Sequence, residues 1–373
     1  MCIRDRVWIE RKRLCESAVI ETQPKTGYVI WMEILTTSND SVGAGSGPSG
    51  ETWQQLMKTA VRTVPGLLDY LKLADNPVFG AQAESKFPVF APLPYLQRIR
   101  PQDPTDPLLR QVLPIDAEDH SPPHFSVDPL GEDAATVQPG LLQKYHGRVL
   151  VVATGACAIH CRYCFRRHFP YGDGPGGAAL REQLAAALAK DESLEEVILS
   201  GGDPLTLVDE AFALLVDTIE AAAHIKRLRI HTRLPIVIPQ RVTQTLVERL
   251  SSSRLQKVIV VHANHANEID DDVIDSLQRL NTSDTQMLNQ SVLLRGVNDS
   301  ADALVDLSQR LLDAGVLPYY LHQLDPVIGA AHFEVSVERG KHLINEIRAR
   351  LPGYAVPRYV QEIAGRPNKT VLA

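Results

Sequence analysis

From Arg148 onward the chain alternates, six times over, between a short apolar or β-branched run and a segment of helical length. The runs are Val149–Thr154, Glu196–Ser200, Leu228–Thr232, Lys257–His262, Ser291–Arg295 and Leu317–His322. The segments between and after them lie near 177–190, 208–224, 241–251, 267–280, 300–314 and 336–350. Strands joined through helices run parallel, because the crossover returns each strand to the same starting end. The order therefore predicts an α/β fold, a partial (β/α)6 barrel with its helices outside. Reactive side chains should then collect at the C-terminal strand ends. An open doubly wound sheet is the alternative.

Upstream of Arg148 the pattern is weaker. Residues 1–50 include the polar stretch TTSNDSVGAGSGPSG and the isolated Cys2 and Cys15, and read as a poorly ordered or non-genuine extension and linker. Leu56, Ala60, Val61, Val64 and Leu67 have helical spacing within Trp53–Leu73. The region from Phe87 to Pro139 is rich in proline, which breaks helices and central strands, so it reads as an irregular wrap. The expected division is 1–50, a helical and Pro-rich wrap at 51–140, the partial barrel at 141–335, and a C-terminal segment at 336–373.

A net charge of -7 argues against a nucleic-acid coat. No apolar run reaches the ~18 residues of a membrane span, and no secretory signal is visible, so neither a membrane nor a nucleic-acid partner is expected. Five cysteines are an odd number for a disulfide framework, and three of them fall within eight residues. That suits a metal site in a reducing compartment, and a cytoplasmic location is expected.

Those three form the sharpest motif, Cys157-Ala-Ile-His-Cys161-Arg-Tyr-Cys164, directly after the first strand. Three thiolates on one tight loop can hold three irons of a [4Fe–4S] cluster and leave the fourth open to an added ligand. Structural zinc normally takes four ligands, so the competing reading adds His160 or His168 and makes the chain a non-catalytic, zinc-stabilised binding protein.

The cysteine loop resembles the radical S-adenosylmethionine (SAM) superfamily motif. From Tyr95 to Thr370 the sequence is similar to the lysine 2,3-aminomutase family, most of all to its shorter members that serve elongation factor P lysylation. The resemblance implies a [4Fe–4S] cluster, SAM and pyridoxal 5′-phosphate (PLP), an external electron donor, and conversion of free L-α-lysine to β-lysine. Elongation factor P or its lysyl ligase would be the downstream partner, an expectation favoured by a chain that ends soon after Lys369. A metabolic lysine 2,3-aminomutase is the alternative.

The resemblance also implies roles residue by residue. Cys157, Cys161 and Cys164 would ligate the cluster, and Tyr163 would pack on the adenine of SAM. Ser200-Gly201-Gly202-Asp203 would receive the methionyl amino group, the glycines permitting close approach and Asp203 accepting from the ammonium. His262, ending the fourth strand, and Gln290, beginning the fifth, would also face SAM. Lys369 would carry PLP, in a Gly365-to-Thr370 segment that follows Tyr354-Ala355-Val356-Pro357 and the strand Arg358–Ile363. Fewer glycines precede this lysine than in the family. Lys144, Tyr145 and Arg148 would hold the phosphate and cover the pyridine ring. Arg166 would grip the substrate carboxylate. Asp325 and Glu362 would clamp the side-chain ammonium, Glu362 standing where lysine aminomutases carry an aspartate. Two acids there favour lysine over glutamate.

Overall fold

The computed structural model describes residues 50–73 and 87–373. The expectation of a disordered or non-genuine extension over 1–50 lies, apart from Gly50, outside the described residues.

Ten strands form one sheet in sequence order. β1 (Thr136–Gln138) and β2 (Leu141–Leu142) make an antiparallel edge that leads into β3 (Arg148–Thr154). Then β4 (Glu196–Gly201), β5 (Arg227–Thr232), β6 (Gln256–Val261), β7 (Thr285–Val292), β8 (Leu317–His322) and β9 (Arg358–Gln361) follow, each parallel to the last. β10 (Thr370–Val371) closes the far edge antiparallel to β9. The six expected crossover helices are α1 (Gly177–Lys190), α2 (Asp209–Glu220), α3 (Gln244–Ser251), α4 (Asp271–Leu280), α5 (Ala301–Asp313) and α6 (Val337–Arg348). The sheet crosses both expected boundaries: β1 and β2 straddle 140/141, and β9 and β10 add the C-terminal segment to the same surface.

Side-chain alternation shows how the sheet is used. In β5, Leu228, Ile230 and Thr232 are buried, while Arg229 and His231 line an interior cavity. The helices cover the outer face. α5 and α6 pack Leu304, Leu343, Ile344 and Ile347 with Tyr359 of β9. Each such leucine or isoleucine contributes about 1.5–3 kcal/mol relative to exposure. In a flat sheet the seven strand spacings between β3 and β10 would amount to about 34 Å. The loop after β3 and the segment before β10 instead line one cavity, so the sheet curls around it. It does not close, since β1 and β10 remain its two ends.

Four expectations need correction. The fifth barrel strand is Thr285–Val292 rather than Ser291–Arg295, so Gln290 sits near its C-terminal end instead of beginning it. The strand reads as polar because Gln286 is exposed, Gln290 faces the cavity, and buried Asn289 bonds Ala263 and Ser291. β6 stops at Val261, which leaves His262 one residue beyond it, and β9 stops at Gln361 rather than Ile363. The stretch Trp53–Leu73 is two helices, Trp53–Lys58 and Val64–Tyr70. Thr63 caps the second through the Gly66 amide and Pro65 sits in its first turn, while Val61 leaves the helix to bridge Ala91. Among the described residues no helix is long and apolar enough to cross a membrane.

Candidate active site

The cysteine loop leaves β3 at Thr154 and is clamped from two sides. On the barrel side, the Gly202 amide donates to Thr154 O at 2.8 Å and the Asp203 amide to Ala156 O at 2.6 Å. A Cβ on Gly202 would lie 2.1 Å from Ala156 O, and one on Gly201, whose φ is +116°, would lie 2.6 Å from Thr154 O. The two glycines thus let the end of β4 lie against the start of the cysteine loop. Their close approach is to the protein's own backbone, while both glycines also line the cavity.

On the other side the Pro-rich wrap backs the loop. The Arg162 amide donates to Gln111 O at 2.9 Å, and the His160 amide to Phe90 O at 3.0 Å. Arg162 Nε donates to Glu118 Oε1 at 2.8 Å, and Arg167 Nη2 reaches Glu118 Oε2 at 2.8 Å. His160 stacks on Phe87 with Nδ1 2.8 Å from Pro88 O, and His168 Nε2 lies 3.1 Å from Ile328 O. Burial pushes His160 down to about 4. Each imidazole considered as a fourth zinc ligand thus bonds a backbone carbonyl through one of its two ring nitrogens. Among the described residues no three His, Cys, Asp or Glu side chains converge on one metal ion.

Burial, and then the neighbouring thiols, pushes Cys157 well above the usual thiol range and Cys164 up to about 12. Cys157 and Cys164, packed this way, resist ionising unless a cationic group shares the loop. An iron–sulfur cluster fits that donor set, and each sulfur would bind a different iron.

The first polar layer around the loop was not foreseen from sequence. Arg233, just past β5, donates through Nη1 to Cys161 Sγ and to Tyr163 Oη, each at 2.6 Å. Its Nη2 donates to Gln111 Oε1 and Glu268 Oε2, each at 2.8 Å. Asn264, just past β6, donates to Tyr163 Oη at 2.6 Å. The Tyr163 ring is thereby fixed at its hydroxyl. The position of Arg233 at a C-terminal strand end was the signal that could have nominated it.

Asp203 departs from its expected role. Its Oδ1 accepts from Thr232 Oγ1 at 2.7 Å and the Leu205 amide at 3.0 Å. Its Oδ2 accepts from the amides of Arg233 at 2.7 Å and Leu234 at 2.9 Å. These four bonds fill a carboxylate's acceptor positions, so the side chain ties β4 to β5 rather than awaiting an ammonium.

Every residue nominated from the sequence lines a single cavity of about 420 Å³. Its lining includes the three cysteines, Tyr163 and the segment Ser200–Asp203, together with Lys144, Tyr145, Arg148, Glu362 and Lys369. Also in the lining, His262 is half-buried with its enclosed Nε2 lacking a hydrogen-bond partner, and desolvation pushes it down to about 4. A neutral, unsatisfied imidazole in a cavity wall is suited to a ligand's polar group. Gln290 Nε2 lies 3.0 Å from His322 Nε2.

A ladder of alternating charges crosses the floor. Lys369 donates to Glu362, whose Oε1 accepts from Lys144 Nζ at 3.0 Å. Lys144 Nζ is also 3.5 Å from Glu132 Oε1, and Glu132 holds Arg166 through two bonds of 2.6 and 2.7 Å. Lys144 thus pairs with two carboxylates, which differs from the open phosphate cradle expected of it. Arg148 packs over the Tyr145 ring at 5.6 Å. A lysine amine in a cavity wall, with Arg148 and Tyr145 beside it, fits a phosphorylated aldehyde cofactor. Glu132 has no sequence signal, since it lies in a turn of the irregular wrap.

The comparisons agree with this geometry. The radical SAM superfamily profile matches residues 151–307, the stretch from β3 into α5. The L-lysine 2,3-aminomutase of Escherichia coli (strain K12) is 45% identical over 327 residues, covering 87% of this chain and 95% of that protein. The corresponding protein of Haemophilus influenzae is 44% identical over 87% and 96% of the two chains. That of Clostridium subterminale is 33% identical over 85% and 77%. A curled parallel sheet with a three-cysteine loop after its first parallel strand is the arrangement of a radical SAM enzyme. Within that class the chain belongs to the lysine 2,3-aminomutase family, and it is an isomerase. Membership implies a [4Fe–4S] cluster, SAM, and lysine as substrate.

Proposed function

We propose that the chain is a PLP-dependent aminomutase that converts L-α-lysine to β-lysine for elongation factor P modification. The observation that carries this reading is that the cysteine loop, Lys369 and the acid pair Asp325 and Glu362 line one cavity. Cys157, Cys161 and Cys164 would hold the cluster, with Tyr163, the Ser200–Gly202 backbone, His262 and Gln290 facing SAM. Lys369, Tyr145 and Arg148 would hold PLP. When bound, these groups supply the hydrogen-abstracting radical and the delocalisation for a nitrogen moving from C2 to C3.

The chain's own residues position and shield. Arg166 presents a guanidinium to the substrate carboxylate, and Asp325 and Glu362 take the side-chain ammonium. Neutral His231, His262 and His322 line the interior without adding charge, desolvation being the main cause for each. An external donor would supply the electron, and a reducing cytoplasm would preserve the cluster.

Anaerobically reconstituted protein, given SAM, PLP, reductant and L-lysine, should yield β-lysine by mass spectrometry. A Lys369→Ala variant should keep its iron and lose the product. Production of β-lysine by that variant would reject the PLP assignment. Coupling the product to elongation factor P through a lysyl ligase tests the finer role, and failure there would leave a metabolic aminomutase.

A further inference from the structure

Arg166 is buried and has five N–H donors. Glu132 takes two of them side-on, Nε to Oε2 at 2.6 Å and Nη2 to Oε1 at 2.7 Å. Nη1 donates to Ser200 Oγ at 3.0 Å and to Gly201 O at 3.3 Å. The N–H left over is on Nη2. We propose that Glu132 is a positioning residue for the substrate carboxylate: it occupies the side edge of Arg166, so that the N–H left to receive a carboxylate is the one Nη2 carries on its terminal edge, beside Ser200. This deepens, and rests on, the reading of Arg166 as the carboxylate-binding residue.

The turn that delivers Glu132 is itself pinned. Asp128 Oδ1 accepts from the Glu132 amide at 2.9 Å, and Oδ2 from the Asp133 amide at 3.2 Å. Gly131 takes a left-handed φ of +61°, and a Cβ there would come 3.3 Å from Ala364 Cβ. The anchor therefore comes from the wrap, not from a barrel strand. A buried ion pair is a poor source of net stability, because desolvating both charges offsets their attraction. Two well-aligned charge-assisted bonds in a cavity wall serve orientation better than stability. Lys144, 3.5 Å from the same carboxylate, balances the charge that Glu132 would otherwise turn against an incoming carboxylate.

The test compares binding of L-lysine and L-lysinamide, which lacks the carboxylate. It uses holoenzyme loaded with cluster, SAM and PLP but given no reductant, so that no turnover occurs. The wild type should favour lysine. Glu132→Ala should erase that preference by about tenfold or more, with lysinamide affinity and the cluster's spectrum unchanged. Glu132→Gln, which keeps the volume, provides the same reading should the alanine variant fold poorly. Equal weakening for both ligands would mean a merely structural residue and overturn the proposal. Loss of the preference in Arg166→Ala but not in Glu132→Ala would overturn it while sparing the Arg166 reading. An Arg166→Ala variant that kept the preference would remove both.

Discussion

Asp325 and Glu362 line one cavity yet hold their protons very differently. Burial, reinforced by the charge of Glu362, pushes the Asp325 carboxyl up to about 7. Burial acts on Glu362 in the same direction, but Lys369 and Lys144 outweigh it and hold that carboxyl down at about 2. Without a ligand, one acid is fully ionised near neutrality and the other is only half so.

An arriving ammonium needs both acids charged. Lysine affinity should therefore rise as pH climbs through about 7, with a proton released on binding below that point. Calorimetry in buffers of different ionisation enthalpy would detect the proton. Asp325→Asn should bind more weakly and lose the pH dependence. The same raised value makes the unliganded protein less stable as pH rises from the unfolded value of about 3.9 toward 7, because only the unfolded carboxyl ionises freely there. The asparagine variant should lack that decline.

Glu362→Gln should move the pH midpoint of lysine binding below about 7. The change removes the negative charge that raises Asp325, leaving burial and Glu132 to hold it up against Lys369 and Lys144. A midpoint that stayed in place would mean the two acids do not sense each other.

Gly202→Ala would place a methyl group 2.1 Å from Ala156 O, so the cysteine loop must move. We expect a stability loss of about 2 kcal/mol or more and a fall in iron bound per chain after reconstitution. Thermal denaturation and iron analysis would read the two effects separately.

Arg233→Leu would leave Glu268 buried without its cation. The cost should be about 3–5 kcal/mol in denaturant unfolding, and a second change, Glu268→Leu, should recover part of it. In material that retains a cluster, loss of the donor to Cys161 Sγ should make the reduction potential more negative. An unchanged potential in a redox titration would separate Arg233 from the cluster.

The barrel was legible because its strands and helices have distinct periods and its reactive loops follow strand ends. The cysteine loop is readable for the same reason. β7 escapes an apolar search because it carries two glutamines, Gln286 exposed and Gln290 lining the cavity. Asp203 looked like a free acceptor because only the folded chain brings Thr232 and the amides of Arg233 and Leu234 to its carboxylate. Glu132 could not be found from its neighbours at all, as its partner Arg166 lies 34 positions away. Lys369 was nominated by resemblance alone, since a lysine near a chain end carries no pattern of its own.

The cysteine loop and Lys369 hang from strands far apart in one continuous hydrogen-bonded surface. The bend of that surface, together with the side-chain ladder from Lys369 to Arg166, sets the gap between them. A mutation under the outer helices that flattens or tightens the bend would shift the distance between the cysteine loop and Lys369 while altering neither.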